Sequence, residues 1–295
     1  MSSGQDLAHS PEKGNGPKPM ASLEELAAPL RLSLLGLLIS LSWMALAWIL
    51  AWKKSFLSLV DVVWALGVSG LALFYSVNDG AWHSKKVVAL ILVCTWSFRL
   101  GFHLASRLAS HYPKEDRRYQ ELRSSWGKSL ALKSFLFFLF QGASQIFFVF
   151  PFAALATALE TQISTILFSV GVSISIVGLV GEAIADQQLK RFLIDARSSA
   201  SQAGAVCDRG LWNYSRHPNY FFEWVVWCGF GLMGASTPAG AWALLAPALI
   251  WVLLLYVTGV PPAEASSLRS KGDQYRQYQA RTNKFIPWFN KKGAS

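Results

Sequence analysis

The sequence predicts an all-α fold, a multi-pass membrane bundle of about seven transmembrane helices with an amphipathic cytosolic C-terminal segment. Three observations carry that expectation. Of 295 residues 53% are hydrophobic and only 15% charged, against roughly 25% charged in ordinary soluble domains. Mean hydropathy is +0.32. The apolar residues gather into runs near the roughly 20 residues a helical crossing requires. The basic residues fall between those runs in alternation, as they do when loops take turns on the two sides of a membrane.

Residues 1–28 are rich in Ser, Gly, Pro and charge, without an apolar run, so a disordered tail is expected there and a single transmembrane domain over 29–295. Seven apolar segments follow: Leu32–Trp52, Phe56–Tyr75, Val87–Ala105, Ser134–Leu159, Ile163–Ile184, Pro218–Gly234 and Ala239–Thr258. The sixth is the shortest. After Pro261-Pro262 helical periodicity resumes through Tyr275 and Tyr278, which share one face of an amphipathic segment lying against the cytosolic surface. Both read as interfacial aromatics, with an adenine or phosphate contact as the alternative.

The net charge of +10 does not indicate a nucleic-acid partner, because 21 of the 27 Lys and Arg lie in alternate loops. These are the connections after the first, third and fifth segments and the tail after the seventh. Cytosolic loops carry that excess, so the C-terminus is assigned to the cytosol. The membrane is the endoplasmic reticulum in a eukaryote or the inner membrane in a bacterium. Cys94, Cys207 and Cys228 lack metal-ligand spacing, and no metal site is expected.

Charged groups inside a bilayer cost about 2.5–3.5 kcal/mol each on insertion scales, which makes each a functional candidate. Arg99, His103 and Arg107 recur every fourth residue on the third segment and so share a helix face. Glu182, Asp186 and Lys190 repeat the spacing at the end of the fifth, with Arg191 alongside. Asn219 and Glu223 repeat it on the sixth. Three polar stripes at one depth describe a pocket entered from the cytosol, although pairing such as Arg99 with Glu223 or Arg107 with Asp186 would equally join helices. Asp61, five residues into the second segment, would be desolvated and suited to proton donation. A helix-joining hydrogen bond is its alternative.

The run Gly210-Leu-Trp-Asn-Tyr214-Ser-Arg216-His217-Pro218-Asn219-Tyr220-Phe-Phe-Glu223 joins a basic loop to an apolar helix. Pro218 suits the first helical position, His217 the cap, and the free N–H groups beside Arg216 would attract phosphate. No P-loop or GxGxxG occurs, so a nucleotide would have to lie between transmembrane helices.

This run, with Glu182/Asp186, Glu-Asp-x-Arg-Tyr at 115–119, and Glu264, Gly272, Tyr275, Tyr278 and Pro287, resembles the DUF1295 family of the steroid 5-alpha-reductase superfamily. The likeness covers about Asp61 to Pro287. It implies a membrane-embedded reductase that takes NADPH from the cytosol and reduces an activated C=C bond of a lipid or steroid-like enone. By that resemblance the cofactor positions are Arg99, His103, Arg107, Glu182, Asp186, Lys190, Arg191, Tyr214, Arg216, His217, Asn219, Tyr220, Glu223, Glu264, Tyr275 and Tyr278. Steroid reductases polarise the enone carbonyl with a glutamate and a tyrosine, for which the counterparts here are Asp61 and Trp96. Trp96 carries no acidic hydroxyl, a departure that weighs against 3-oxo-steroid reduction. An apolar cavity between the first four spans would admit the lipid.

Two other readings compete. A membrane methyltransferase of the isoprenylcysteine carboxyl methyltransferase type shares an Arg-His-Pro-x-Tyr run and binds S-adenosylmethionine; a non-catalytic lipid-binding protein would bind neither cofactor. A phosphorylated dinucleotide calls for converging Arg and Lys, whereas a sulfonium calls for carboxylates and aromatics. The set Arg99, Arg107, Arg191 and Arg216 favours NADPH.

Overall fold

The computed structural model describes residues 23–78, 82–198 and 205–289. In chain order the helices are α1 (Leu23–Lys53), α2 (Leu59–Asn78), α3 (Ser84–His111), α4 (Arg117–Trp126), α5 (Leu130–Thr157), α6 (Thr165–Ser198), α7 (Leu211–Tyr214), α8 (Pro218–Ala235), α9 (Leu245–Val252) and α10 (Val260–Arg281). Among the described residues no strand forms, and one isolated parallel bridge joins Ser215 to Asn283. The tail expected over 1–28 lies outside the described residues up to 22, and its last six residues belong to α1.

Six helical stretches are long and apolar enough to cross a membrane, and the segment from Pro218 is not among them. Asn219 and Glu223 in its first two turns lower its hydropathy. Position nonetheless aligns α8 with the spans. Its end meets the start of α6 where the Ser164 N–H donates to the Ser236 carbonyl (2.9 Å), and its start meets the far half of α6 where Asn219 reaches Asp186 (3.3 Å). The two helices therefore run antiparallel along one another.

Their contact is built on small residues. A Cβ at Gly178 would stand 2.6 Å from the Val226 nitrogen, and one at Gly171 would stand 2.8 Å from the Gly229 carbonyl oxygen. Lipid tails are as apolar as leucine, so helices in a bilayer associate through close backbone approach and interhelical hydrogen bonds. Hydroxyls and amides join the other helices. Ser40 of α1 donates to the Gly142 carbonyl of α5 (2.9 Å), Gln145 of α5 to the Trp64 carbonyl of α2 (2.7 Å), and Ser97 of α3 to the Ala65 carbonyl of α2 (2.5 Å). These contacts and the buried Met44, Leu57, Val60 and Phe138 pack α1, α2 and α5 together.

The second helix starts three residues later than its apolar run. Ser55 takes a positive φ of 52°, and the carboxylate of Glu115 accepts the backbone N–H groups of Leu57 (2.7 Å) and Ser58 (3.0 Å), capping α2 from another element. The last apolar segment is a 3-10 turn (Gly240–Leu244), α9 and a π turn (Leu253–Val257), after which α10 begins at Val260, with Pro261-Pro262 in its first turn, and breaks at Gly272 (φ 52°).

Candidate functional site

Charged pairs among the described residues gather into three groups. Deepest lies Arg99 of α3, paired with Glu182 and Asp186 of α6, the latter at 3.0 Å. Asn219 donates to the other oxygen of Asp186. One turn further in, Glu223 of α8 accepts the indole N–H groups of Trp96 and Trp227, each at 2.9 Å. Glu182 and Glu223 are only 6% and 9% exposed. Three carboxylates thus surround a single guanidinium. Among the described residues Oε2 of Glu182 and Nε of Arg99 lack hydrogen-bond partners. Buried polar atoms are rarely left so, and the two orphans mark where a polar ligand group would bond.

The second group is a clasp around the Arg-His-Pro run. Arg216 donates from Nε to Glu264 (2.7 Å) and from Nη1 to the carbonyls of Gln279 (3.0 Å) and Thr282 (2.8 Å). Its own N–H donates to the Asn283 carbonyl (2.8 Å), and the Trp288 N–H to the Tyr214 carbonyl (3.2 Å). Burial weighs against the charge of Glu264, but hydrogen bonds from His217 and Arg216 and the Arg216 charge outweigh it and hold its carboxyl down at about 2. Burial also pushes the His217 imidazole below its ordinary value, against the hydrogen bond to Glu264 that raises it. His217 is the N-cap of α8 and Pro218 its first residue, as the sequence predicts, while the guanidinium of Arg216 faces protein acceptors.

The third group explains the Glu-Asp-x-Arg-Tyr run. Glu115 caps α2; Asp116 caps α4 by accepting the Arg118 N–H (2.9 Å) and pairs with Arg107 (2.6 Å). Arg118 (3.1 Å) and the Tyr119 hydroxyl (2.6 Å) both engage Asp61. Asp61 is accordingly not a lone carboxyl deep in an apolar helix. It is the third residue of α2, because Glu115 delays the helix start, and it meets a cation and a hydroxyl there. Its hydrogen-bond partners do not include Trp96, whose one polar atom is given to Glu223. The structure does not join Asp61 and Trp96, and it supplies Tyr119, inside a run the sequence had flagged, as the hydroxyl beside Asp61.

A cavity of about 250 Å³ lies against the second group, lined by Leu189, Val206, Cys207, Trp212, Arg216, His217, Asn219, Tyr220, Ala263, Ser267, Lys271, Tyr275 and Tyr278. Six of the expected cofactor residues meet here: Arg216, His217, Asn219, Tyr220, Tyr275 and Tyr278. The last two are 4% and 2% exposed, so they are wall residues and not interfacial aromatics. Tyr278 donates to the Trp212 carbonyl. Asn219 connects this cavity to Asp186 and the Arg99 group, and Tyr220 feels the charges of Arg118, Arg107 and Asp186. Arg191 lines a neighbouring cavity; His103, Lys190 and Tyr214 are exposed beside these groups. Lys271 and Trp227 were not singled out by the sequence, and Trp212 lay inside the Gly210–Glu223 run without a role. Trp227, four residues after Glu223 on a helix, could have been read from spacing.

No curated protein and no solved structure matches the chain. A family model described as a protein of unknown function, DUF1295, matches residues 47–282, from the last turns of α1 to the end of α10 and across all three groups. The chain belongs to the DUF1295 family.

Proposed function

We propose that the protein is a membrane-embedded, NADPH-dependent reductase of an activated C=C bond in a lipid or steroid-like enone, crossing the membrane seven times with its C-terminus in the cytosol. The observation that carries this reading is the single cavity shared by six residues that the likeness to steroid 5-alpha-reductases assigns to the cofactor, joined through Asn219 to the Arg99 group. The groups fit a dinucleotide. Lys271 and Arg191 supply cations near the two cavities, and the orphaned Glu182 oxygen and Arg99 nitrogen can bond an amide or ribose hydroxyl. When bound, a reduced nicotinamide supplies a hydride.

The chain's own residues hold and orient. Asn219 fixes Asp186, which with Glu182 fixes Arg99, and Glu223 is held by two indoles. Asp61 accepts from the Tyr119 hydroxyl and pairs with Arg118, so it orients Tyr119. Stabilising an enolate oxygen then calls for a preorganised donor, and the Tyr220 hydroxyl on the cavity wall is the candidate for it.

One observation favours a second reading. Glu182, Asp186 and Glu223 outnumber Arg99, and Trp96, Trp227 and Tyr220 are near, which suits the sulfonium of S-adenosylmethionine in a methyltransferase. Titration of purified protein separates them. NADPH binds saturably and S-adenosylmethionine does not, and Asn219→Ala weakens NADPH by about tenfold, the value of roughly one hydrogen bond to a charged group. Saturable binding of S-adenosylmethionine alone would reverse the assignment.

A further inference from the structure

The residues that follow α10 carry an aromatic surface that the protein leaves uncovered. Trp288 and Phe289 are 68% and 74% exposed, and Ile286 and Tyr214 are exposed beside them. Phe289 lies edge-on to Tyr214 (6.3 Å between ring centroids) and to Trp288 (6.0 Å), so two segments distant in sequence build one apolar patch. Its height along the bundle is set by Phe285. That ring is buried against Phe221 (5.8 Å) and Trp224 (6.4 Å) of α8 and Trp251 of α9 (5.1 Å), inside two of the apolar segments. At most about 11 Å of extended chain separates Phe285 from Trp288, which keeps the patch at the level where those segments end.

The backbone is suited to the same place. Pro287 has no N–H, the Trp288 N–H donates to the Tyr214 carbonyl (3.2 Å), and the Asn283 amide donates to the carbonyls of Trp288 (2.9 Å) and Phe289 (3.3 Å). Irregular chain enters an apolar layer only when its polar groups are met by protein. Charge then selects the lipid. From Thr282 to Ser295 the sequence holds Lys284, Lys291 and Lys292 and neither Asp nor Glu. Trp and Tyr concentrate at headgroup level, and each lysine beside them strengthens attraction to an anionic surface by about fivefold.

We propose that Tyr214, Trp288, Phe289 and Lys284 form a docking site for anionic phospholipid in the leaflet at this end of the bundle, with Lys291 and Lys292 of the following sequence adding charge. The site does not depend on the reductase reading. Its consequence reaches the Arg-His-Pro run, because the Phe285 carbonyl accepts from the Ser215 hydroxyl (2.6 Å) and the Asn283 carbonyl from the Arg216 N–H (2.8 Å). Lipid that holds residues 284–289 holds that run as well.

The test reads Trp288 fluorescence, isolated as wild type minus Trp288→Phe, on full-length protein in phosphatidylcholine nanodiscs. A minor fraction of the lipid carries bromine on its chains close to the headgroup, where it quenches a neighbouring tryptophan. That fraction is phosphatidylglycerol in one sample and phosphatidylcholine in the other. Brominated phosphatidylglycerol should quench Trp288 more, with an apparent local enrichment of about fivefold. Lys284→Gln/Lys291→Gln/Lys292→Gln should abolish the excess while quenching by brominated phosphatidylcholine persists, and an unchanged Tm verifies that this variant folds. Absence of quenching by both lipids would remove Trp288 from the leaflet and overturn the site. Equal quenching by the two, or an excess that survives the lysine substitutions, overturns it as a site for anionic lipid. A dimer seen by light scattering in detergent and dissolved by Trp288→Ser/Phe289→Ser would give the patch to a second copy of the chain, and the proposal would fall.

Discussion

Arg216 was the residue most plainly marked for a ligand, and the geometry gives it a structural task. Its guanidinium ties Glu264 to two carbonyls at the end of α10, with both partners largely buried. Removing one member of such a pair leaves an uncompensated charge. Arg216→Ala should therefore lower stability by about 3 kcal/mol, read as a fall in Tm, and Arg216→Lys should recover little of it, because an ammonium cannot reproduce the fork. The clasp is also sensitive to acid. His217 and Glu264 both have folded values below their ordinary 6.5 and 4.5, so the unfolded chain binds more protons on acidification. Their contributions are complete above about pH 6.5. Below that the His217 share is lost first, and the Glu264 share follows between 4.5 and about 2. A Tm profile should decline from about pH 6.5 in wild type, and in His217→Asn the decline should begin nearer 4.5.

Among the elements, the α6–α8 seam allows least change. A side chain at Gly178 meets the backbone nitrogen of Val226, which cannot swing aside as a flexible side chain would. Gly178→Leu should cost about 1–3 kcal/mol or more, in the range of overpacked cores. Gly127→Ala, where a Cβ has open space around it but φ is 49°, should cost less. Unfolding titrations in mixed micelles would rank them. The seam was legible only in part. Hydropathy marked the segments, and the four-residue spacing of Glu182/Asp186 and Asn219/Glu223 put the right residues on facing sides. Pairing was not legible. Nothing in the spacing of Arg99, His103 and Arg107 says that the first turns to α6 and the last to Asp116, since that depends on how α3 is rotated against neighbours distant in sequence. The partners of Asp61 were not legible because Arg118 and Tyr119 lie 57 and 58 residues downstream.

For the whole molecule, the two ends differ in kind. At one end lie the three charged groups; at the other Ser84 meets Glu160, and Lys85 the Ile163 carbonyl. The uneven distribution of Lys and Arg predicts which end faces the cytosol. Single cysteines introduced at Lys54 and Lys128 should react with impermeant maleimide only from the cytosolic side, and one at Glu160 only from the opposite side. Labelling of all three from one side would reject the proposed orientation.

The stitching of Asn283 and Trp288 to the loop ahead of α8 bears on the order of biosynthesis. A nascent chain with every apolar segment in place still has no closed recess, because the last turn of α10 and the residues just after it fasten Arg216. Closure of that recess thereby waits until residues 279–288 are in place, and chains cut before Gln279 would leave the Arg216 guanidinium without these acceptors.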